Sequence, residues 1–118
     1  MLPERPTLRP IAWVGSAFDD LLCFPEEVRR EAGYQLHRLQ AGLEAADWKP
    51  MTEIGRGVEE VRLRSSSGAY RILYLARFEE AVYILHCFIK KIRRTSEHDK
   101  RIAKARFQSV MEELRSGK

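Results

Sequence analysis

Apolar residues between positions 58 and 90 fall into three short runs, Val58–Arg64, Ala69–Ala76 and Ala81–Lys90, each rich in β-branched and aromatic side chains. Runs of this length and content read as strands. They are separated by Ser65-Ser66-Ser67-Gly68 and by the charged segment Arg77 to Glu80. Connections this short predict an antiparallel meander. Upstream the period changes. Val28, Ala32, Leu36, Leu39 and Leu43 recur at spacings of four, four, three and four, the stripe of an amphipathic helix that leaves Arg29, Arg30, His37 and Arg38 outside. Pro25 suits the first turn, and Glu26 and Glu27 suit the positive end of the helix dipole. Before it, Ser16 is placed to cap a short helix that ends near Phe24, with Asp19 in its first turn and Phe18, Leu21 and Leu22 as its apolar side. Thr7 to Val14 reads as a strand in which Pro10 indicates an edge position or a late start. Residues 1–10 contain three prolines and read as an irregular lead-in to a single domain spanning 1–118. The segment Asp47 to Gly57 reads as a long loop. Its Gly55-Arg56-Gly57 precedes a strand and lacks the Lys-Ser/Thr pair of a phosphate-binding loop. A last helix is expected from Glu97 to Arg115, opened by Ser96 and Asp99, with Ala103, Phe107, Val110, Met111 and Leu114 on one face.

At 118 residues and 44% hydrophobic content, the chain can bury a core without disulfide or metal staples. Cys23 and Cys87 are both expected as buried free thiols. No secretory signal and no run of membrane-spanning length is found, so a cytoplasmic location is expected. The net charge of +4 hides an asymmetry. Residues 1–60 hold 7 Lys/Arg against 11 Asp/Glu, and residues 61–118 hold 14 against 6. The basic excess begins inside strands, where it is not merely a solvated face, and it predicts an anionic polymer, RNA or DNA, as partner.

Pairing the strands would gather Arg62, Arg71, Lys90 and Lys91 from distant sequence onto a small area. RNA carries its own nucleophile, the 2′-hydroxyl, so cleavage without metal or other cofactor needs groups that orient it, move protons and stabilise phosphorane charge. Guanidinium groups suit the last role, because they stay charged and bind phosphate oxygens in a fork. Arg62 and Arg71 are the candidates, with Arg71 expected to act in catalysis and not in folding. Crowding against arginines lowers a lysine's pKa, which makes Lys90 or Lys91 a conceivable base. His98 needs no such shift and is the other candidate acid or base. His86 shares strand parity with Val82, Ile84 and Phe88 and reads as structural. Arg64, Tyr70, Arg93, Arg94, Lys100, Arg101 and Lys104 are the expected RNA-binding residues, Tyr70 by stacking on a base. No zinc-type Cys/His spacing, catalytic triad or paired-carboxylate site can be picked out; Glu59-Glu60 reads as a strand-end pair.

The ordered set FPEEVRREAGYQL, Glu60-Val61-Arg62, Gly68-Ala69-Tyr70-Arg71-Ile72-Leu73-Tyr74 and Leu85-His86-Cys87-Phe88-Ile89-Lys90-Lys91 resembles the RelE/HigB superfamily of toxins, in its phage-derived HigB-like branch. The resemblance spans roughly residues 11 to 107. It implies an α+β, two-layer β-α-α-β-β-β-α domain with a mostly antiparallel sheet, its helices on one face and a basic concave site on the other. It also implies a ribosome-dependent endoribonuclease that cuts mRNA, neutralised by a cognate antitoxin, a small helix-turn-helix protein, with no membrane partner. Arg62 and Arg71 match arginines of the family motif, and Lys90 and Lys91 its basic pair. RelE-type members place a catalytic tyrosine shortly after that pair, whereas this chain has no tyrosine beyond Tyr83; His98 is the imidazole in the equivalent region. The same fold occurs in ParE-like toxins that act on gyrase without a nuclease site, which is one alternative; the other is a non-catalytic module that holds RNA, ribosome or antitoxin through the basic patch.

Overall fold

Ser65 lies opposite Gly68 across a two-residue turn, and Gly68 adopts a φ of 143° that only glycine tolerates easily. That turn sets the register of the central hairpin in the computed structural model of the chain, which describes residues 8–117. The elements in chain order are β1 (Ile11–Trp13), α1 (Ala17–Leu22), α2 (Glu26–Gln40), β2 (Trp48–Pro50), β3 (Val58–Ser65), β4 (Gly68–Leu75), β5 (Val82–Lys90) and α3 (Glu97–Arg115). The five strands form one sheet in the order β1-β5-β4-β3-β2. β1 runs parallel to β5 and the other neighbours are antiparallel. The α+β class, the meander and the mostly antiparallel sheet are as the sequence predicts. Within the described residues, no helix is long and apolar enough to cross a membrane.

β4 is apolar on both faces, and this decides the layering. Tyr70, Ile72 and Tyr74 pack with Leu21, Val28, Ala32, Leu36 and Leu39 of the first two helices and with Phe24 between them. Leu73 and Leu75 point the other way, onto Ala103, Phe107 and Val110 of α3. Helices on a single face therefore describes α1 and α2, whereas α3 and the residues Met51 and Ile54 of the long loop cover part of the opposite face. A strand buried on both sides needs cover on both sides.

Four local expectations are corrected. Trp48–Pro50 forms a short edge strand within the segment read as loop; three residues carry too little pattern to be recognised. The stripe of α2 stops before Leu43, which lies beyond the helix end and is 53% exposed. The Ser16 hydroxyl makes no capping bond and instead donates to Asp20 Oδ2 at 2.8 Å, and of the α1 apolar side only Leu21 is buried, Phe18 and Leu22 being exposed. Cys23 is exposed, while Cys87 is buried as expected, its thiol pushed up to about 12 by burial. Pro10 does mark a late strand start, but residues 1–7 of the lead-in lie outside the described residues. The α3 start follows its pattern: Ser96 Oγ accepts from the Asp99 amide at 3.1 Å and donates to Asp99 Oδ2 at 2.6 Å.

Candidate functional site

Arg62 and Arg71 are direct cross-strand partners, and Lys90 lies opposite Ala69, two positions from Arg71. Two-residue periodicity then sends Arg62, Arg64, Arg71 and Lys90 to one face, the face of Leu73 and Phe88 beyond the reach of α3. Lys49 of β2 joins them, since it pairs with Glu60. The segment after β5 folds back across this face. Its Thr95 is buried, and the hydroxyl donates to Glu60 Oε2 of β3 at 3.2 Å. Phe88, Lys90, Arg94, Ser96 and Asp99 line a hollow at the foot of that wall.

Glu60 is the residue that strand patterning did not single out. It has no exposed surface, although it stands among cations: its Oε1 lies 3.5 Å from Arg71 Nε and 3.9 Å from Lys49 Nζ. Neither Glu60 Oε1 nor Arg71 Nε makes a hydrogen bond, so this contact is a close ion pair. Arg71 is only 3% exposed, and its Nη1 donates to the Tyr70 carbonyl at 3.0 Å. Burial disfavours the Arg71 charge and Glu60 restores it. The expectation that Arg71 serves catalysis and not the fold is thus corrected. It is the floor of the cationic face, and without it the buried Glu60 would keep only Lys49 at 3.9 Å and the Thr95 hydroxyl.

Above that floor the exposed cations differ in what already holds them. Arg62 is engaged by Asp47, whose Oδ1 accepts from Nε at 3.1 Å and lies 3.0 Å from Nη2. Arg64, Lys91, Arg93 and Arg94 are exposed. Lys90 is half-buried at the end of β5; burial first, then the charge of Arg71, pulls its ammonium below its ordinary pKa, with Glu60 opposing. Arg101 and Lys104 are exposed on α3, whereas Lys100 lies 3.1 Å from Glu53 and 3.8 Å from Glu97, tying α3 to the long loop.

Two expected site residues fall elsewhere. Tyr70 is 3% exposed on the opposite face, its ring 4.9 Å from that of Phe24 and its hydroxyl 2.7 Å from Ser67 Oγ. It is a core residue and has no free ring face for a base. His98 is exposed in the first turn of α3 but lines a different cleft, on the β5 edge, together with His86 and Asp99. His86 is buried and structural as expected, though not by the parity read from sequence. A bulge between the pairs Leu73–His86 and Tyr74–Ile84 inserts Leu85 as an extra residue, so His86 shares a face with Phe88 and not with Val82 or Ile84. Its Nε2 bonds Asp99 Oδ1 at 2.7 Å, and its ring stacks on Phe88 at 5.0 Å.

The family model described as phage-derived protein Gp49-like matches residues 19–108. Among solved structures, the free state of an arginine-to-alanine double mutant of E. coli toxin RelE superposes with a TM-score of 0.56 at 15% identity, covering 87% of this chain and 98% of that one. At that identity the match speaks for the fold. No protein of curated function matches in sequence.

Proposed function

Since the chain belongs to the phage-derived Gp49-like family and has the fold of RelE, we propose that it is the toxin of a toxin–antitoxin pair, acting as a ribosome-dependent endoribonuclease on mRNA. The observation that carries this reading is the cationic face built by the Arg62–Arg71 register and Lys90 over the buried Glu60. The half-buried Arg62 and the exposed Arg64, Lys91 and Arg94 take the phosphates of a single strand laid across β3, β4 and β5. Arg71 acts from beneath, adding positive potential where phosphorane charge develops without competing for the strand. Proton removal from the 2′-hydroxyl falls to Lys90. A lysine drawn below its ordinary pKa holds more free amine near neutral pH than it would at that ordinary value. His98 lines the neighbouring cleft and not the hollow that Lys90 lines, so the part considered for it passes to Lys90. The cognate antitoxin is the natural protein partner, and the cytoplasm, where ribosomes are, the place of action.

The test is Lys90→Arg, which keeps the charge and removes the exchangeable amine. In a purified translation reaction read by primer extension, wild type should cut mRNA only when ribosomes are present, and the variant should lose about two to four orders of magnitude in cleavage rate. Ribosome co-sedimentation should be unchanged. A variant that cuts within a few fold of wild type would leave Lys90 as a phosphate ligand, and a wild type that never cuts would overturn the nuclease reading.

A further inference from the structure

β1 pairs with Val82 to Ile84, so the following half of β5 has an open edge, and a cleft of about 390 Å³ lies along it between α1 and the start of α3. That size suits a small planar ligand. Phe24, Ile89 and Ile102 give it apolar walls, and Ile89 is 45% exposed. His98 stands on the rim.

Two of the polar groups that line it, Asp20 and His86, present acceptors. An ionised carboxylate can only accept, so the 2.7 Å bond from His86 Nε2 to Asp99 fixes the proton on Nε2. Burial lowers the His86 pKa and keeps the ring neutral. Nδ1 is then a lone-pair acceptor; it has no partner among the described residues, although His86 is only 5% exposed. Asp20 is held by the Ser16 hydroxyl at 2.8 Å on Oδ2, and Ser16 is held in turn by Arg106 Nη2 at 2.9 Å, which leaves Asp20 Oδ1 to accept. A ligand that fits must bring a flat apolar body and an edge of adjacent N–H donors. Among the bases that is guanine, whose N1–H and N2–H₂ lie side by side; adenine and cytosine set an acceptor beside their amino group, and uracil flanks its one N–H with carbonyls. The adjoining hollow, which shares Phe88, Ile89 and Asp99 with this cleft, is lined by Lys90, Lys91 and Arg94. Those cations suit the phosphates of a nucleotide and oppose the side chain of a basic peptide.

We propose that this cleft is a guanine-reading subsite for single-stranded RNA, in which Asp20 and His86 Nδ1 accept from the donor edge of the base. It rests on the RNA reading of the cationic face, and its test needs no cleavage. Histidine side-chain ¹⁵N spectra of the full chain should be recorded during titration with each of the four nucleoside 5′-monophosphates. The guanine nucleotide alone should move the His86 Nδ1 resonance, and Asp20→Asn should weaken its binding about tenfold, the scale of a lost two-point base contact, leaving the other three unchanged. No shift with any nucleotide, or an equal shift with all four, would overturn the subsite whether or not the protein cuts mRNA. A shift produced by an N-acetylated arginine amide and not by the guanine nucleotide would also overturn it, and would assign the cleft to a protein partner. Because Asp20 lies on the surface side of α1, its variant should keep the wild-type fold and the unligated His86 signal.

Discussion

Glu60 and Arg71 together explain why a cationic site can rest on a packed sheet. A guanidinium buried among Leu73, Phe88 and Thr95 would be costly alone, and so would a carboxylate; at 3.5 Å each offsets the other's desolvation. Truncating one partner should therefore hurt more than truncating both. Arg71→Ala should lower the unfolding free energy by about 3–5 kcal/mol, the usual cost of stranding a buried charge, and adding Glu60→Gln should recover part of that loss. Neither variant should regain cleavage. Denaturant melts of the three proteins check this, and an Arg71→Ala midpoint equal to wild type would show that Glu60 finds its compensation from Lys49 and Thr95 instead. At Arg62 the balance is different, because its pair with Asp47 is half exposed and worth at most ~1 kcal/mol. Asp47→Asn should leave stability nearly unchanged and release Arg62 to phosphate, steepening the salt dependence of ribosome binding by about one unit of the log–log slope. Weaker binding would mean that Asp47 aims Arg62 and does not compete for it.

Between elements, the bond from His86 to Asp99 joins β5 to the first turn of α3, and it carries a pH dependence whose sign follows from burial. The folded His86 binds its proton less readily than the ordinary value of 6.5. As pH falls through the window below 6.5, the unfolded chain takes up a proton that the folded chain refuses, so stability falls; above 6.5 this contribution is intact. His86→Gln should lose less stability than wild type between about pH 7.5 and pH 5.5, measured as the difference in denaturant midpoint. An equal loss in both proteins would place the titration on other groups. Helix and strand identities were legible because runs such as Ala69–Ala76 and the α3 stripe hold one period for two turns or more. The bulge at Leu85 was not, since it changes which face a side chain takes without changing composition. The core place of Tyr70 was hidden for the same kind of reason: alternation separates it from Arg71 but does not say which face a helix covers. The burial of Glu60 depends on β2, β4 and the Thr95 turn at once, a conjunction with no trace in the local sequence. Gly55, in the segment read as a loop, is also a packing residue, for a Cβ there would lie 2.5 Å from the Phe107 ring.

Over the whole molecule, the asymmetry of charge between the two halves of the chain becomes an asymmetry of surface. α1 and α2 stand on one side of the sheet with five carboxylates and three arginines, whereas the basic residues of β3, β4, the end of β5 and the segment after it collect on the other. A polyanion approaching such a body meets its strongest attraction from that second side, which steers it. On the proposed function, the exposed cations of that surface would act additively through released counterions, and Arg71 and Lys90, buried or half-buried, on the chemistry. This division separates binding from chemistry at two adjacent lysines. Lys91→Ala should weaken ribosome binding at every salt concentration and reduce the slope of log affinity against log salt by about one, while the cleavage rate of the bound complex stays within a few fold of wild type. Lys90→Arg should leave that slope unchanged. Co-sedimentation across a salt series, with single-turnover cleavage on pre-bound ribosomes, separates the two quantities. If Lys91→Ala instead abolished cleavage of the bound complex and spared the slope, Lys91 would belong with the reacting atoms, and the end of β5 would have to turn so that both lysines face the RNA backbone.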